Sequence, residues 1–314
     1  MRFPPKSFVA GTLVALGLSC AAQAEDAFTL PGETTFPEGI TMASDGTAYV
    51  GSVYEGRIFR RQPGATQAEP FIKAGSNGLV SAIGMLLDEN KGTLWVCSSD
   101  PGVGRLTGHA KPALLAFDAA TGADKGRYAL PGGGFCNDIA MDSKGAVYVT
   151  DSFAPRILRL KPGADKLEVM FRDDRFQTAQ FGLNGLTFTD DNTLYVVTYV
   201  EGGLYRLSLN DEGDVSSVRK MTTDRPLVLA DGLKTLSKDR LLLVEGNGAL
   251  TRLSLSADKA DIDVVKDGFI APTTVAVQGG KAWLVEGQLN KLFVKDGPQP
   301  AKLPFSIQKV DLPL

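Results

Sequence analysis

The feature that most constrains this chain is an internal repeat. A short apolar strand, a polar turn, a strand of aliphatic and aromatic residues, a second turn and a third strand recur along the 314 residues. The first copy places its strands at 39–42, 48–51 and 57–60, and the second at 83–86, 93–96 and 113–117, with a longer insert. The third uses 138–141, 147–150 and 156–160, and the fourth 185–188, 193–197 and 203–207. The fifth uses 232–235, 240–244 and 249–253, and the sixth 274–277, 282–285 and 291–294. A spacing of ~45–50 residues is that of four-stranded propeller blades. Outer fourth strands are legible at 167–171 and 262–265, and the strand-like chain ends, 27–30 and 306–310, can complete one blade between them. Such closure removes exposed sheet edges. A pair of β-sandwiches also accommodates short strands and regular turns, but six similar copies favour one all-β domain, a six-bladed β-propeller.

The N-terminus reads as a targeting segment. Arg2 and Lys6 precede an apolar stretch at 8–18, and Ala22-Gln23-Ala24 forms an Ala-x-Ala cleavage pattern. The apolar stretch is short for a membrane span, and Gly17 sits where a lipoprotein signal at Cys20 needs an aliphatic residue. We therefore expect residues 1–24 to be a signal peptide and residues 25–314 to form the propeller, exported to the periplasm or secreted, with no membrane attachment after cleavage. An oxidising compartment permits a disulfide between Cys97 and Cys136. Each thiol follows hydrophobic residues, however, and the expectation is two free, buried thiols. Net charge is −3, with no basic block, so nucleic acid is excluded as a partner and a small molecule is expected. The oligomeric state is left open.

Four residues stand at the start of the first strand in their copies: Glu38, Asn137, Asn184 and Asp231. In a propeller the innermost strand begins beside the central channel, so these side chains converge near the axis. Asn and Asp before Gly are ordinary turn formers, but four in register, one of them a Glu, point to a shared task. Two carboxylates and two amide oxygens at one point suit a hard divalent cation. Calcium is the first expectation, with magnesium, manganese and zinc as alternatives. The second strand of each blade returns to the same face, so Tyr54, Ser98, Asp151, Tyr199, Glu245 and Glu286 are expected at its rim. Asp151 and Tyr199 are singled out as facing substrate, together with Asn137. The only histidine is His109, in a Gly-rich insert, and no G-x-S-x-G elbow occurs, which excludes an ordinary nucleophilic triad. Gly132–134 lacks the Lys-Ser/Thr of a phosphate loop and reads as an inter-blade turn.

Pro37-Glu38-Gly39, Asn137-Asp138, Asn184-Gly185 and Asp231-Gly232 resemble the signature positions of the gluconolactonase and regucalcin (senescence-marker-protein) family. The resemblance covers essentially the whole chain after about Glu25. It implies a six-bladed propeller with a divalent metal at the top of the channel, held by Glu38, Asn184 and Asp231. Asn137 is then a fourth ligand or a substrate contact. The chain departs from that pattern at Phe135, where family lactonases tend to carry Arg, and over 78–108. An anionic or heavily hydroxylated sugar lactone is thereby the least favoured substrate. The isolation of His109 also tells against the histidine-dependent mechanism of paraoxonase-type propellers. The implied activity is metal-dependent opening of a small lactone or cyclic ester, with Asp231 as general base or nucleophile. A non-catalytic propeller that binds a ligand or protein around a structural calcium is the alternative, and a condensing or phosphotriester-cleaving propeller is a third reading.

Overall fold

The computed structural model describes residues 26–178 and 180–312. The expected signal peptide, 1–24, lies outside the described residues. Six antiparallel sheets form, five of four strands and one of five, with the short strand Thr222–Thr223 added in parallel to the outer edge of the fifth blade. The innermost strands are Pro37–Met42, Ala82–Asp88, Cys136–Met141, Leu183–Phe188, Ala230–Ser237 and Pro272–Gln278. Each packs against the next, and the sixth packs against the first, so the six close a ring around one axis.

Burial explains why the repeat is written as it is. The second strands lie within the blade and between its neighbours, and every residue of Val147–Asp151 or Leu194–Thr198 is buried. The outer strands face water, so Asp124–Ala129 carries Asp, Lys and Arg among partly covered positions. Apolar side chains of adjacent blades form the cores between them, such as Tyr148 and Ile157 with Leu186 and Val196. Each such aliphatic or aromatic side chain contributes roughly 1.5–3 kcal/mol on burial. The last blade is built from both chain ends. Asp26–Leu30 pairs antiparallel with Phe305–Asp311, with Phe28 opposite Ile307 and Leu30 opposite Phe305.

Two sequence expectations are corrected. Residues 291–294 are not the third strand of the sixth blade. Leu289–Leu292 is a helical turn within an insert, and Phe305–Asp311 takes the strand position. Gln288 anchors that insert by bonding both the carbonyl and the amide of Lys302. Cys97 and Cys136 are not free thiols. They form a disulfide with Cα atoms 5.1 Å apart, joining the second strand of blade two to the inner strand of blade three. Both sulfurs are buried as expected, but the blades bring the two strands into register where the cysteines meet.

One irregularity recurs in all six blades and positions the site. At the start of each inner strand, three residues lie opposite two on the second strand. In the first blade Pro37 pairs with Ser52 and Ile40 with Val50, so Glu38 and Gly39 span the shift. The same shift brackets Ile83, Asn137, Asn184, Asp231 and Thr273. An extra residue of this kind bends the strand and re-aims a side chain. The residue after it is Gly in four blades because the next inner strand lies against it. A Cβ at Gly39 would overlap the Ile83 carbonyl oxygen, and one at Gly185 would overlap that of Asp231.

Candidate functional site

The six bulges aim Glu38, Ile83, Asn137, Asn184, Asp231 and Thr273 into one cavity of about 350 Å³ at the end of the channel. The four sequence-predicted donors are therefore brought together. Ile83 and Thr273 complete the ring, and sequence reasoning did not single them out. Thr273 holds the position of Glu38 in the repeat alignment but its residue type did not suggest a ligand, whereas the alignment set Ile83 level with Gly39, one residue away from its place in the bulge. The Thr273 hydroxyl is committed to the structure, donating to the Glu38 carbonyl oxygen at 2.9 Å.

The electrostatics of the floor are uncompensated. Glu38 and Asp231 are both buried. Burial first, then the nearby Asp231 and Asp138 carboxylates, push Glu38 well above the usual carboxylate range, with Lys234 drawing it down. Asp231 is likewise raised, by burial and then Asp138, against a side-chain hydrogen bond from Asn184. Lys234 reaches into the channel below and pairs with Asp138 at 3.3 Å. The Asn137 amide donates to the Ser152 hydroxyl at 2.8 Å, which turns its oxygen toward the cavity. That oxygen and one Glu38 oxygen are buried without a hydrogen-bond partner among the described residues. Buried polar atoms are rarely left so.

A bound cation is one partner that such oxygens could take. Among the described residues no three of His, Cys, Asp and Glu cluster as metal ligands. The candidate set is instead two carboxylates and two amides, all oxygen donors once the Asn oxygens face inward, which fits a hard dication with ligand positions left for water or substrate. Binding one would give both orphaned oxygens a partner and offset the repulsion between the carboxylates.

Above the floor the cavity changes character. Val53, Phe135, Phe181, Leu229, Leu289 and Phe293 line its walls. Phe135, Phe153 and Phe181 pack with ring centroids 4.9–5.2 Å apart, forming an aromatic run from the cavity to the surface. Leu229 (φ 49°) and Ala271 (φ 40°) line the cavity in the left-handed region immediately before their inner strands. Such strain in non-glycine residues clusters at functional sites. Tyr199 lines the same cavity, its phenol pushed up by burial, then by Asp231 and Glu38, so that it stays a protonated donor.

Of the other rim expectations, none of Tyr54, Ser98, Asp151, Glu245 and Glu286 lines the cavity. Asp151 does not line the cavity. It is fully buried and accepts from the backbone amides of Phe135 and Phe153 and from Arg156 at 2.9 Å. Glu245 and Glu286 play the same part in their blades, accepting from Val228 and Ile270 at 2.7 and 2.8 Å. The Ser98 hydroxyl accepts from Val80 at 3.1 Å. Each of these side chains ties down the loop that leads into its blade's inner strand. Gly134, the last of the Gly132–134 turn, is required because a Cβ there would overlap the Asp151 carboxylate. His109 lies exposed in the insert of the second blade.

Comparison with solved structures places the chain among propellers of differing chemistry. A gluconolactonase from Xanthomonas campestris matches with a TM-score of 0.62 at 18% identity, over 91% of this chain and 89% of that one. The luciferin-regenerating enzyme matches with a TM-score of 0.62 at 16% identity, over 90% and 97%. The PQQ-bound aldose sugar dehydrogenase of Streptomyces coelicolor matches with a TM-score of 0.61 at 15% identity, over 92% and 97%. No protein-family model matches the sequence. No curated protein is similar to it. At these identities the likeness establishes the six-bladed fold, and a fold of this kind hosts several unrelated reactions.

Proposed function

We propose that the protein is a metal-dependent hydrolase that opens a small lactone or cyclic ester at the end of the propeller channel. The observation that carries this reading is the convergence of Glu38, Asn137, Asn184 and Asp231 on one buried floor, with two of their oxygens unpartnered. These four residues would hold a dication, calcium first among the candidates. When bound, it supplies Lewis-acid polarisation of the ester and a more acidic water. Asp231 would serve as general base toward the attacking water, with the Asn184 side chain hydrogen-bonded to it. Tyr199, which lines the cavity, would donate to the oxygen on which charge develops. The walls exclude bulk water and strengthen each of these interactions.

Export belongs to the same proposal. It rests on residues 1–24 and is supported by the Cys97–Cys136 disulfide, which an oxidising compartment allows to persist. A non-catalytic propeller with a structural ion has one observation in its favour. Phe153 and Phe293 are 53% and 45% exposed at the mouth, as a docking partner would need. The test is to strip residues 25–314 with chelator and assay a lactone panel with calcium, magnesium, manganese and zinc restored singly. Turnover returned by one ion supports the hydrolase. Ion-dependent thermal stabilisation with no turnover on any lactone would move the assignment to the binding propeller.

A further inference from the structure

Polar groups in the cavity are concentrated at one end. Glu38, Asn137, Asn184 and Asp231 form the floor, and Tyr199, Thr273 and Asn290 are the other polar side chains facing it. Among the described residues no Lys or Arg lines it. The rest is aliphatic and aromatic: Phe135 and Phe181 meet edge to face at 5.2 Å, and Val53, Leu229, Leu289 and Phe293 face them. Several of these come from independent parts of the chain. Leu289 and Phe293 belong to the sixth-blade insert, and Phe135 stands just before the inner strand of blade three. A ligand with many hydroxyls would leave most of them without partners against these walls. Each such buried, unpaired group disfavours binding. With a dication on the floor its charge is balanced by the Glu38 and Asp231 carboxylates, and the walls offer an anionic ligand no further cation.

Resting on the hydrolase reading, we infer that the substrate is an uncharged lactone or ester whose bulk is aromatic or aliphatic. Its carbonyl end points to the four donors and its apolar body packs against Phe135 and Phe181. At about 350 Å³ the cavity is at the small end of ligand pockets, so the body is of the order of one fused aromatic ring system or a short acyl chain. In the reaction the water oxygen bonds to the acyl carbon and the acyl carbon–ring oxygen bond breaks. The proton taken by Asp231 passes to the departing ring oxygen, and the remaining acid proton is lost to solvent. The product is a hydroxycarboxylate.

The experiment compares dihydrocoumarin and γ-nonalactone with glucono-δ-lactone and a carboxylate-bearing lactone, using the calcium-loaded full mature chain. The apolar lactones are expected to exceed the other two in kcat/KM by about 100-fold or more, the discrimination an apolar pocket gives against unpaired polar groups. Phe293→Ser, at an exposed position, is expected to raise KM for dihydrocoumarin several-fold with little change in kcat. A second readout needs no turnover: displacement of the neutral dye Nile red by each lactone. Equal or better turnover of glucono-δ-lactone or the charged lactone overturns the inference and leaves the hydrolase standing. No turnover of any ester, with Nile red displaced by the apolar lactones alone, keeps the apolar site and removes the hydrolase. No turnover, with no displacement by apolar lactones, overturns both.

Discussion

Two sets of polar side chains stand at the same end of the propeller's blades, and they have opposite fates. Glu38, Asn137, Asn184 and Asp231 begin inner strands, while Ser98, Asp151, Glu245 and Glu286 end second strands one pairing position away. Both sets are buried and rich in carboxylates. In the second set the loop backbone claims the oxygens: Asp151 accepts two amides and a guanidinium, and Glu245 accepts an amide, a hydroxyl and a guanidinium. In the first set the bulge lifts the side chain out of the ladder, and oxygens of Glu38 and Asn137 are left without partners. Partner saturation, more than burial or residue type, separates an acid that holds the fold from one available for chemistry.

Substituting one member of each set tests that distinction most severely. Asp231→Asn is expected to lower kcat by about 10²–10⁴-fold, the usual loss on removing a general base. In chelator its melting temperature should not fall, because a buried, crowded carboxylate has been removed. A lower melting temperature in chelator would place Asp231 with the structural acids and break the comparison. Asp151→Ala is expected to do the reverse. It strands the buried Arg156 and frees two buried amides, for a loss of roughly 3–5 kcal/mol in denaturant unfolding. Metal affinity of the molecules that remain folded should be unchanged, as measured by calorimetry.

The sequence showed one set clearly and misread the other, for a physical reason. The repeat fixed which residues share a position in each blade, so the convergence of Glu38, Asn137, Asn184 and Asp231 followed from register alone. The rim residues were placed at the correct end of their strands. Their direction depends on a three-against-two bulge and on loop amides donated from about sixteen residues earlier, as from Phe135 to Asp151. Neither is written in strand periodicity. The same limit explains the sixth blade, where Lys291–Val294 carries a strand-like composition but Gln288, at φ 53°, turns the chain into a helical insert. The disulfide was hidden because register between blades, unlike register within one, has no local signal.

That disulfide offers a milder test of how the floor is supported. Cys136 immediately precedes Asn137, and its bond to Cys97 fixes the flank of that bulge to the neighbouring blade. Replacing both cysteines with Ala is expected to cost about 2–4 kcal/mol of stability, from the 39-residue separation that the bond closes. Metal affinity should change less than about threefold, because Ser152 still orients Asn137. A large loss of affinity with little loss of stability would show that the bulge depends on the covalent link, not on its own ladder.

The smallest effect concerns sign. Burial alone would raise Glu245, but hydrogen bonds from Arg225, Thr251 and Val228 outweigh it and hold the carboxyl below the usual range. A carboxylate depressed in the folded state stabilises the fold above its unfolded value, about 4.3, and that contribution is lost as pH falls through the folded value. Glu245→Gln should therefore lower the melting temperature near pH 7 and converge on the parent protein in acid. Arg225 is 34% exposed in its side chain, so solvent limits the pH-dependent part to about 1 kcal/mol or less. Glu38 is shifted the other way, so in chelator its ionised form opposes folding above its raised value. Glu38→Gln should accordingly hold or raise the melting temperature near neutral pH while abolishing the response to added calcium. The same Glu→Gln change then has opposite signs in the two sets, and equal signs in thermal melts across pH would erase the distinction between them.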